Sequence, residues 1–215
     1  VDYTGTTLAG GNYSFTVTAT DAAGNASSSS AAFAVTVDTS APSAPVISAI
    51  TDDTGTSSSD RVTSDTTLVL SGSGEANSRI TVSRTGVGQI GTATADAGGA
   101  WSFDYSGTTL SSVGHTFTAT ATDAAGNVSV SSADFNVTID TAAPSAPSTP
   151  DLVDGSDTGS SSTDNLTGDN TPSFSGTAEA NANVELFRGG TISLGVVIAD
   201  GSGKAVDGIG GNGDN

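Results

Sequence analysis

HTFTATATDAAGN, residues 115–127, alternates apolar and small polar side chains and then breaks on Asp-Ala-Ala-Gly-Asn. Phe117, Ala119 and Ala121 fall on one face, with Thr between them. A period of two is the mark of a half-buried β-strand, because successive side chains point to opposite faces. Asp, Gly and Asn end such a run, since they accept turn geometry that β-branched residues resist. Outward from this stretch the same alternation returns in Tyr13, Phe15, Val17 and Ala19, and in Phe135, Val137 and Ile139. Leu68 and Leu70, Ile80 and Val82, and Trp101, Phe103 and Tyr105 follow it too. No segment sustains helical spacing.

The stretch is also one copy of a repeat. TATDAAGN at 18–25 returns at 120–127, and VDTSAPSAP at 37–45 returns as IDTAAPSAP at 139–147. From Asp2 to Pro45, 30 of 44 positions match the residue 102 places later. A second alignment runs at a spacing of 104: DTGTSSSDRVTSDTT (53–67) matches DTGSSSTDNLTGDNT (157–171), and SGSGEAN (71–77) matches SGTAEAN (175–181). Residue 1 aligns with Phe103, so the repeat opens inside a module. Past Gly203 the match decays.

Seven strands are expected in the complete module, near 46–50, 67–72, 79–84, 89–95, 101–106, 115–122 and 133–140. Seven short strands in about 95 residues, separated by Gly, Asn, Asp and Ser, predict an immunoglobulin-like β-sandwich. The fold class is therefore all-β: tandem sandwich modules, one complete and two partial. The expected divisions are 1–39, the last part of a module; 40–141, a complete module with its linker; 142–204, the first part of a third; and 205–215, a divergent Gly-rich tail. Pro42, Pro45, Pro144 and Pro147 stiffen the connections.

Composition narrows the function. The net charge is −18, and the acids are 20 Asp against 3 Glu. Asp is a turn residue whose short carboxylate can chelate from a loop. Five Lys and Arg are too few for a nucleic-acid surface, which needs cations opposite phosphates, and they disfavour an anionic membrane. The absence of Cys excludes disulfides and thiolate chemistry. No apolar run is long enough to insert in a membrane.

The combination DT-x-AP-x-AP, DDTG, SGSGEAN, GTATADAGGAWSF, HTFTATATDAAGN and VTID resembles the bacterial immunoglobulin-like repeats of giant surface adhesins, including the extender regions of RTX-class adhesins exported by type I secretion. It covers residues 1 to about 203. The resemblance implies an extracellular, cell-surface location, neighbouring modules of the same polypeptide as partners, calcium-dependent rigidity, and a role in cell adhesion or biofilm formation. Any host or surface ligand would be met through other domains.

Strand alternation predicts where calcium would sit. The loops after strands two, four and six share one end of the sandwich, where the preceding linker also arrives. Asp38, Glu75, Asn77, Asp96, Asp123 and Asn127 thus approach one junction. Carboxylates, an amide and carbonyls can form the oxygen shell of Ca²⁺. Asp140, Glu179, Asn181 and Asp200 are the corresponding set at the next junction, and Asp21 and Asn25 the matching pair in the first module. Asp52, Asp53 and Asp157 lie in the loop at the far end, with Asp60 and Asp65 nearby. An Asx turn is the competing account of Asp in DAAGN, and a solvated acidic loop that of the far-end group.

Other motifs read as structural. GVGQIG at 86–91 lacks the following helix that a dinucleotide fingerprint needs. His115, the only His, aligns with Tyr13, so the position does not require imidazole. Trp101 reads as core rather than as a sugar platform. Paired acids recur with the repeat, which suits structure better than glycoside hydrolysis. GGNGDN at 210–215 matches a glycine-rich RTX nonapeptide poorly. The chain reads as a spacer and not an enzyme; the alternative is a module binding carbohydrate or protein.

Overall fold

The computed structural model describes residues 5–55 and 57–207 and falls into two compact units, Val1–Thr141 and Ala142–Asn215. In the first unit, residues 46–139 form two facing sheets. One holds β3 (Val46–Ile50), β5 (Val69–Ser73) and β8 (Ala100–Asp104), in the order β3-β5-β8. The other holds β4 (Val62–Thr63), β6 (Arg79–Arg84), β7 (Gly88–Thr94), β9 (Gly114–Thr122) and β10 (Phe135–Ile139), in the order β4-β10-β9-β6-β7. All pairs are antiparallel except β10 with β4.

The apolar positions of the alternating runs meet between the sheets. Leu68, Leu70, Ile80, Val82, Phe117 and Val137 are fully buried, with Trp101 and Ile139 beside them. Each such side chain contributes about 1.5–3 kcal/mol by leaving water. Tyr105 packs edge-on against Phe117, ring centroids 6.3 Å apart.

Seven of the strands lie where the alternation predicts them. The eighth, β4, has only two residues, too short to carry a period, and its parallel pairing with β10 is non-local. It splits the long loop after β3.

Ahead of this sandwich, β1 (Gly11–Phe15) and β2 (Phe33–Val37) form an antiparallel hairpin. The second unit holds β11 (Asp151–Leu152), β12 (Phe174–Thr177) and β15 (Lys204–Asp207) in one sheet, and β13 (Asn183–Arg188) paired with β14 (Ile192–Ile198) in another. β15 runs across the position of the boundary expected at 204. Lys204 pairs with Thr177 and Asp207 with Phe174, as Ala100–Asp104 pair with Val69–Ser73. The module pattern therefore continues to Asp207 although its residues have diverged, because strand pairing is made by the backbone. The glycine-rich GGNGDN stretch lies outside the described residues. Among the described residues no helix is long and apolar enough to cross a membrane.

Candidate functional site

The end of the sandwich where β5, β7 and β9 finish carries the loops expected there. Gly74 N–H donates to Gly99 O at 2.8 Å and Asn77 N–H to Asp96 O at 3.2 Å, joining the loop after β5 to that after β7. The start of β6 lies beside the end of β9, Arg79 opposite Thr122, so the DAAGN loop is at the same end. There Asp123 Oδ1 accepts the N–H groups of Ala125 and Asn127, each at 2.9 Å. Asn127 Nδ2 donates to Asp123 Oδ2 at 2.8 Å and to Asp38 O at 3.1 Å. Asp38 leaves the first hairpin, so this amide joins one module to the next.

Two subsets of the six expected residues are thus brought together: Asp38, Asp123 and Asn127, and the Glu75–Asn77 loop with Asp96. Asp96 Oδ1 turns back onto Gly98 and Ala100 N–H, and Asp38 Oδ1 onto Ser40 N–H. Among the described residues no three acidic or His side chains are grouped closely enough to hold a metal. Asn127 places its NH2 between two oxygen acceptors; turning the amide over presents Oδ1 beside Asp123 Oδ2 and Asp38 O. Three oxygens would then face one point.

Asp21 and Asn25 repeat the turn. Asp21 Oδ1 accepts from Ala23 and Asn25 N–H, and Asn25 Nδ2 donates to Asp21 Oδ2 at 2.9 Å. The Asn side-chain bond is the largest cause holding the Asp21 and Asp123 carboxyls below their ordinary range. In the second unit Glu179, Asn181 and Asp200 lie in the two loops equivalent to 75–77 and 96. Ala182 N–H donates to Glu179 O and Asn181 N–H to Ala199 O. Asp200 Oδ1 accepts from Ser202 Oγ and from Ser202 and Lys204 N–H; the Ser202 hydroxyl leads in lowering its pKa. Asp140 closes the first unit, its N–H donating to Thr63 O at 2.8 Å.

At the far end, the loop between β3 and β4 and its counterpart 104 residues on share one hydrogen-bond plan. Asp53 Oδ2 accepts Arg61 N–H at 2.9 Å, and Asp157 Oδ2 accepts Asn165 N–H at 3.2 Å. Thr63 Oγ1 donates to Asp52 O at 2.7 Å, and Thr167 Oγ1 to Ser156 O. Asp60 and Asp65 close their own turns, on Val62 and Thr67. The Thr hydroxyls at 54, 63, 158 and 167 were not among the expected site residues. Their signal was present, since both pairs match at the 104 spacing.

His115 Nε2 lies 3.0 Å from Ser111 O, and Tyr13 OH donates to Ala9 O at 2.9 Å. The two positions do the same structural job, tying a strand to the carbonyl four residues back. Trp101 is 4% exposed, too buried to stack on a sugar.

Two facing sheets with β4 and β10 parallel and β9 central define immunoglobulin-like sandwich modules in tandem. The chain belongs to the bacterial Ig-like domain family, whose profile matches residues 1–39, 41–141 and 143–206. A crystal structure of a tetra-tandem repeat in the extending region of a large adhesion protein is similar over 93% of this chain and 48% of that one, at 20% identity and a TM-score of 0.37. A structure bearing on host cell surface retention of a 1.5-MDa bacterial ice-binding adhesin is similar over 89% of this chain and 60% of that one, at 21% identity and a TM-score of 0.36. The chain thus spans about half to three-fifths of the length of these two structures. No curated protein matches it.

Proposed function

We propose that this chain is a spacer segment of a bacterial cell-surface adhesin, made of Ig-like modules whose junctions are stiffened by calcium. Its service is to hold an adhesive region away from the cell during adhesion or biofilm formation. Membership of the family, the repeat, and the acidic residues at the loop ends all support this reading. β9, nine residues long, spans roughly 30 Å, so each module adds length with few residues.

The observation that carries the proposal is the Asn127 bond to Asp38 O. It ties the exit of one module to a loop of the next, which a ligand pocket would not need and a rod does. Calcium at this point converts the Asn127 latch into an oxygen cage through the amide rotation described above. Extracellular modules of this kind bind calcium at about 10⁻⁴–10⁻³ M. The array would be loose in a low-calcium cytosol, suited to secretion, and rigid outside.

Small-angle scattering and thermal melting of the 215-residue chain, with EDTA or with about 1 mM calcium, test this directly. Calcium is expected to raise the melting temperature and narrow the distribution of overall dimensions. Asn127→Ala is expected to abolish the narrowing. Identical scattering and melting in the two buffers would sink the calcium reading.

A further inference from the structure

β13 and β6 are matching strands 104 residues apart, but their neighbours differ. β6 lies between β7 and β9, whereas among the described strands β13 pairs with β14 alone. In the complete module β9 runs antiparallel along β6 over six residue pairs, from Arg79 opposite Thr122 to Arg84 opposite Phe117. Phe117, Ala119 and Ala121 of β9 and Val137 of β10 complete the core with Ile80 and Val82. In the second unit an apolar cleft remains, lined by Pro150, Phe174, Val184, Leu186, Val197 and Ala205. A strand edge beside an uncovered apolar cleft is a template for a further strand.

The β1–β2 hairpin has the opposite property. It repeats β9–β10 at the 102 spacing, in the same register: Tyr13 faces Val35 and Phe15 faces Phe33, as His115 faces Val137 and Phe117 faces Phe135. Ser30 and Ser27 hold Val17 and Ala19 as Ser132 and Ser129 hold Ala119 and Ala121. The side chains of the buried set return as Phe15, Val17, Ala19, Phe33, Val35 and Val37. Yet Val17 is 66% and Phe33 69% exposed, where Ala119 and Phe135 are buried. The hairpin is formed, and its apolar positions lack the sandwich that covers their counterparts.

The free edge of the hairpin is the one that β6 meets in the complete module. Val17 and Ala19 direct their N–H and C=O groups to Ser30 and Ser27, so Thr16 and Thr18 direct theirs to the other side. Charge does not oppose docking there. Asp21 is the only charged residue of 11–37, in a chain of net charge −18.

We propose that β13 receives the β1–β2 hairpin of a second copy of this chain, which lies antiparallel along it and closes the core of the second unit. The register of the complete module carries over. The second copy's Ala19 faces Val184, its Val17 faces Leu186 and its Phe15 faces Arg188, as Ala121, Ala119 and Phe117 face Ile80, Val82 and Arg84. Backbone hydrogen bonds supply the pairing, and the apolar side chains fill the cleft. Donor and acceptor surfaces are different, so the contact is heterologous: each copy gives one hairpin and receives another, and copies join head to tail. No cation takes part, so this inference and the calcium reading fail separately.

Sedimentation of the 215-residue chain in EDTA, over a series of concentrations, is expected to show association that grows with concentration. Val17→Asp changes an exposed position of the free hairpin, so it should abolish association and leave the melting of the complete module unchanged. Val130→Asp, at a position 77% exposed and outside the proposed contact, should associate like the parent. The chain has no Cys, so the double variant Val17→Cys, Leu186→Cys reads the register. Val82 and Ala119 form a non-hydrogen-bonded pair, the closer kind in an antiparallel ladder and the kind a disulfide can bridge. Mild oxidation should therefore give a ladder of linked copies. Thr18→Cys with Leu186→Cys, on opposite faces, should give none. A chain that stays monomeric at every concentration overturns the proposal. So does association that Val17→Asp leaves intact, or a disulfide formed within one copy instead of between two.

Discussion

Gly99 sits where no other residue fits well. Its φ is 85°, and a Cβ built there would lie 2.4 Å from Gly74 O, the carbonyl of the loop packed beside it. Gly203 repeats both the angle and the contact, against Ala178 O. Gly99→Ala is therefore expected to force the two loops apart and destabilise the complete module by roughly 2 kcal/mol or more, combining backbone strain with a lost loop contact. Chemical denaturation of the variant measures this; a change below about 0.5 kcal/mol would refute it. The aspartates of the DAAGN turns add a pH dependence whose sign follows from their bonds. Asn25 and Asn127 hold Asp21 and Asp123 below the ordinary value, which is near 3.9 when unfolded. A depressed folded value means that the contribution is complete above the unfolded pKa and is lost as pH falls through the folded one. Melting temperature should accordingly fall below about pH 4. Asp123→Asn should melt lower than the parent near neutrality in EDTA and give a shallower fall in acid, so that the two curves converge at low pH. A parallel acid limb in parent and variant would count against it.

At the scale of elements, alternation located the long strands because their packing is local in sequence and one face is buried. Phe117, Ala119 and Ala121 are buried as their spacing requires. Two things escaped. β4 is too short to carry a period, and the segment after DAAGN reads as a Ser-rich loop. In the fold that segment runs along β9 and pairs with it through side chains. Ser129 Oγ accepts Ala121 N–H at 2.9 Å and Ser132 Oγ accepts Ala119 N–H at 3.0 Å, while their own N–H groups bond the same residues' carbonyls. Ser27 and Ser30 do this for Ala19 and Val17 in the first module. Hydroxyls thus replace backbone carbonyls along an otherwise open edge, which pattern reading cannot foresee because Ser is equally at home in any loop. The placement of the acidic loops was legible for a related reason. Topology placed the loops at the correct ends, but which carboxylates close their own turns depends on hydrogen bonds that spacing does not specify. Ser129→Ala should leave the N–H of fully buried Ala121 without an acceptor and cost about 1–3 kcal/mol. Val130→Ala, next to it and 77% exposed, should cost under about 0.5 kcal/mol. Equal effects would show that the hydroxyl is dispensable.

Over the whole molecule, burial is distributed unequally between the two units. In the complete module Ile80 and Val82 are fully buried, with β9 hydrogen-bonded alongside and Phe117, Ala119 and Ala121 of β9 buried in the same core. Their counterparts in the second unit, Val184 and Leu186, are only half-buried, and the described residues of that unit include no strand equivalent to β9. Among its described residues the buried apolar ones are Leu152, Ala199 and Ala205, two of them too small to contribute much, and Val196 and Ile198 remain 58% and 65% exposed. Local stability follows the apolar contacts an element makes, so opening free energies must differ along the chain. Amide hydrogen exchange is expected to divide accordingly. The N–H groups of β5, β6, β9 and β10 should exchange only on global opening of their module, slower by orders of magnitude than those of β12, β13 and β14. Leu70→Ala sharpens the test. It creates a cavity in the complete module that costs about 2–5 kcal/mol, so it should speed exchange in β5, β6 and β9 and leave β12–β14 unchanged. Uniform protection across both units, or a Leu70→Ala effect that reaches β13 in full, would mean that the second unit draws its stability from contacts other than its own core.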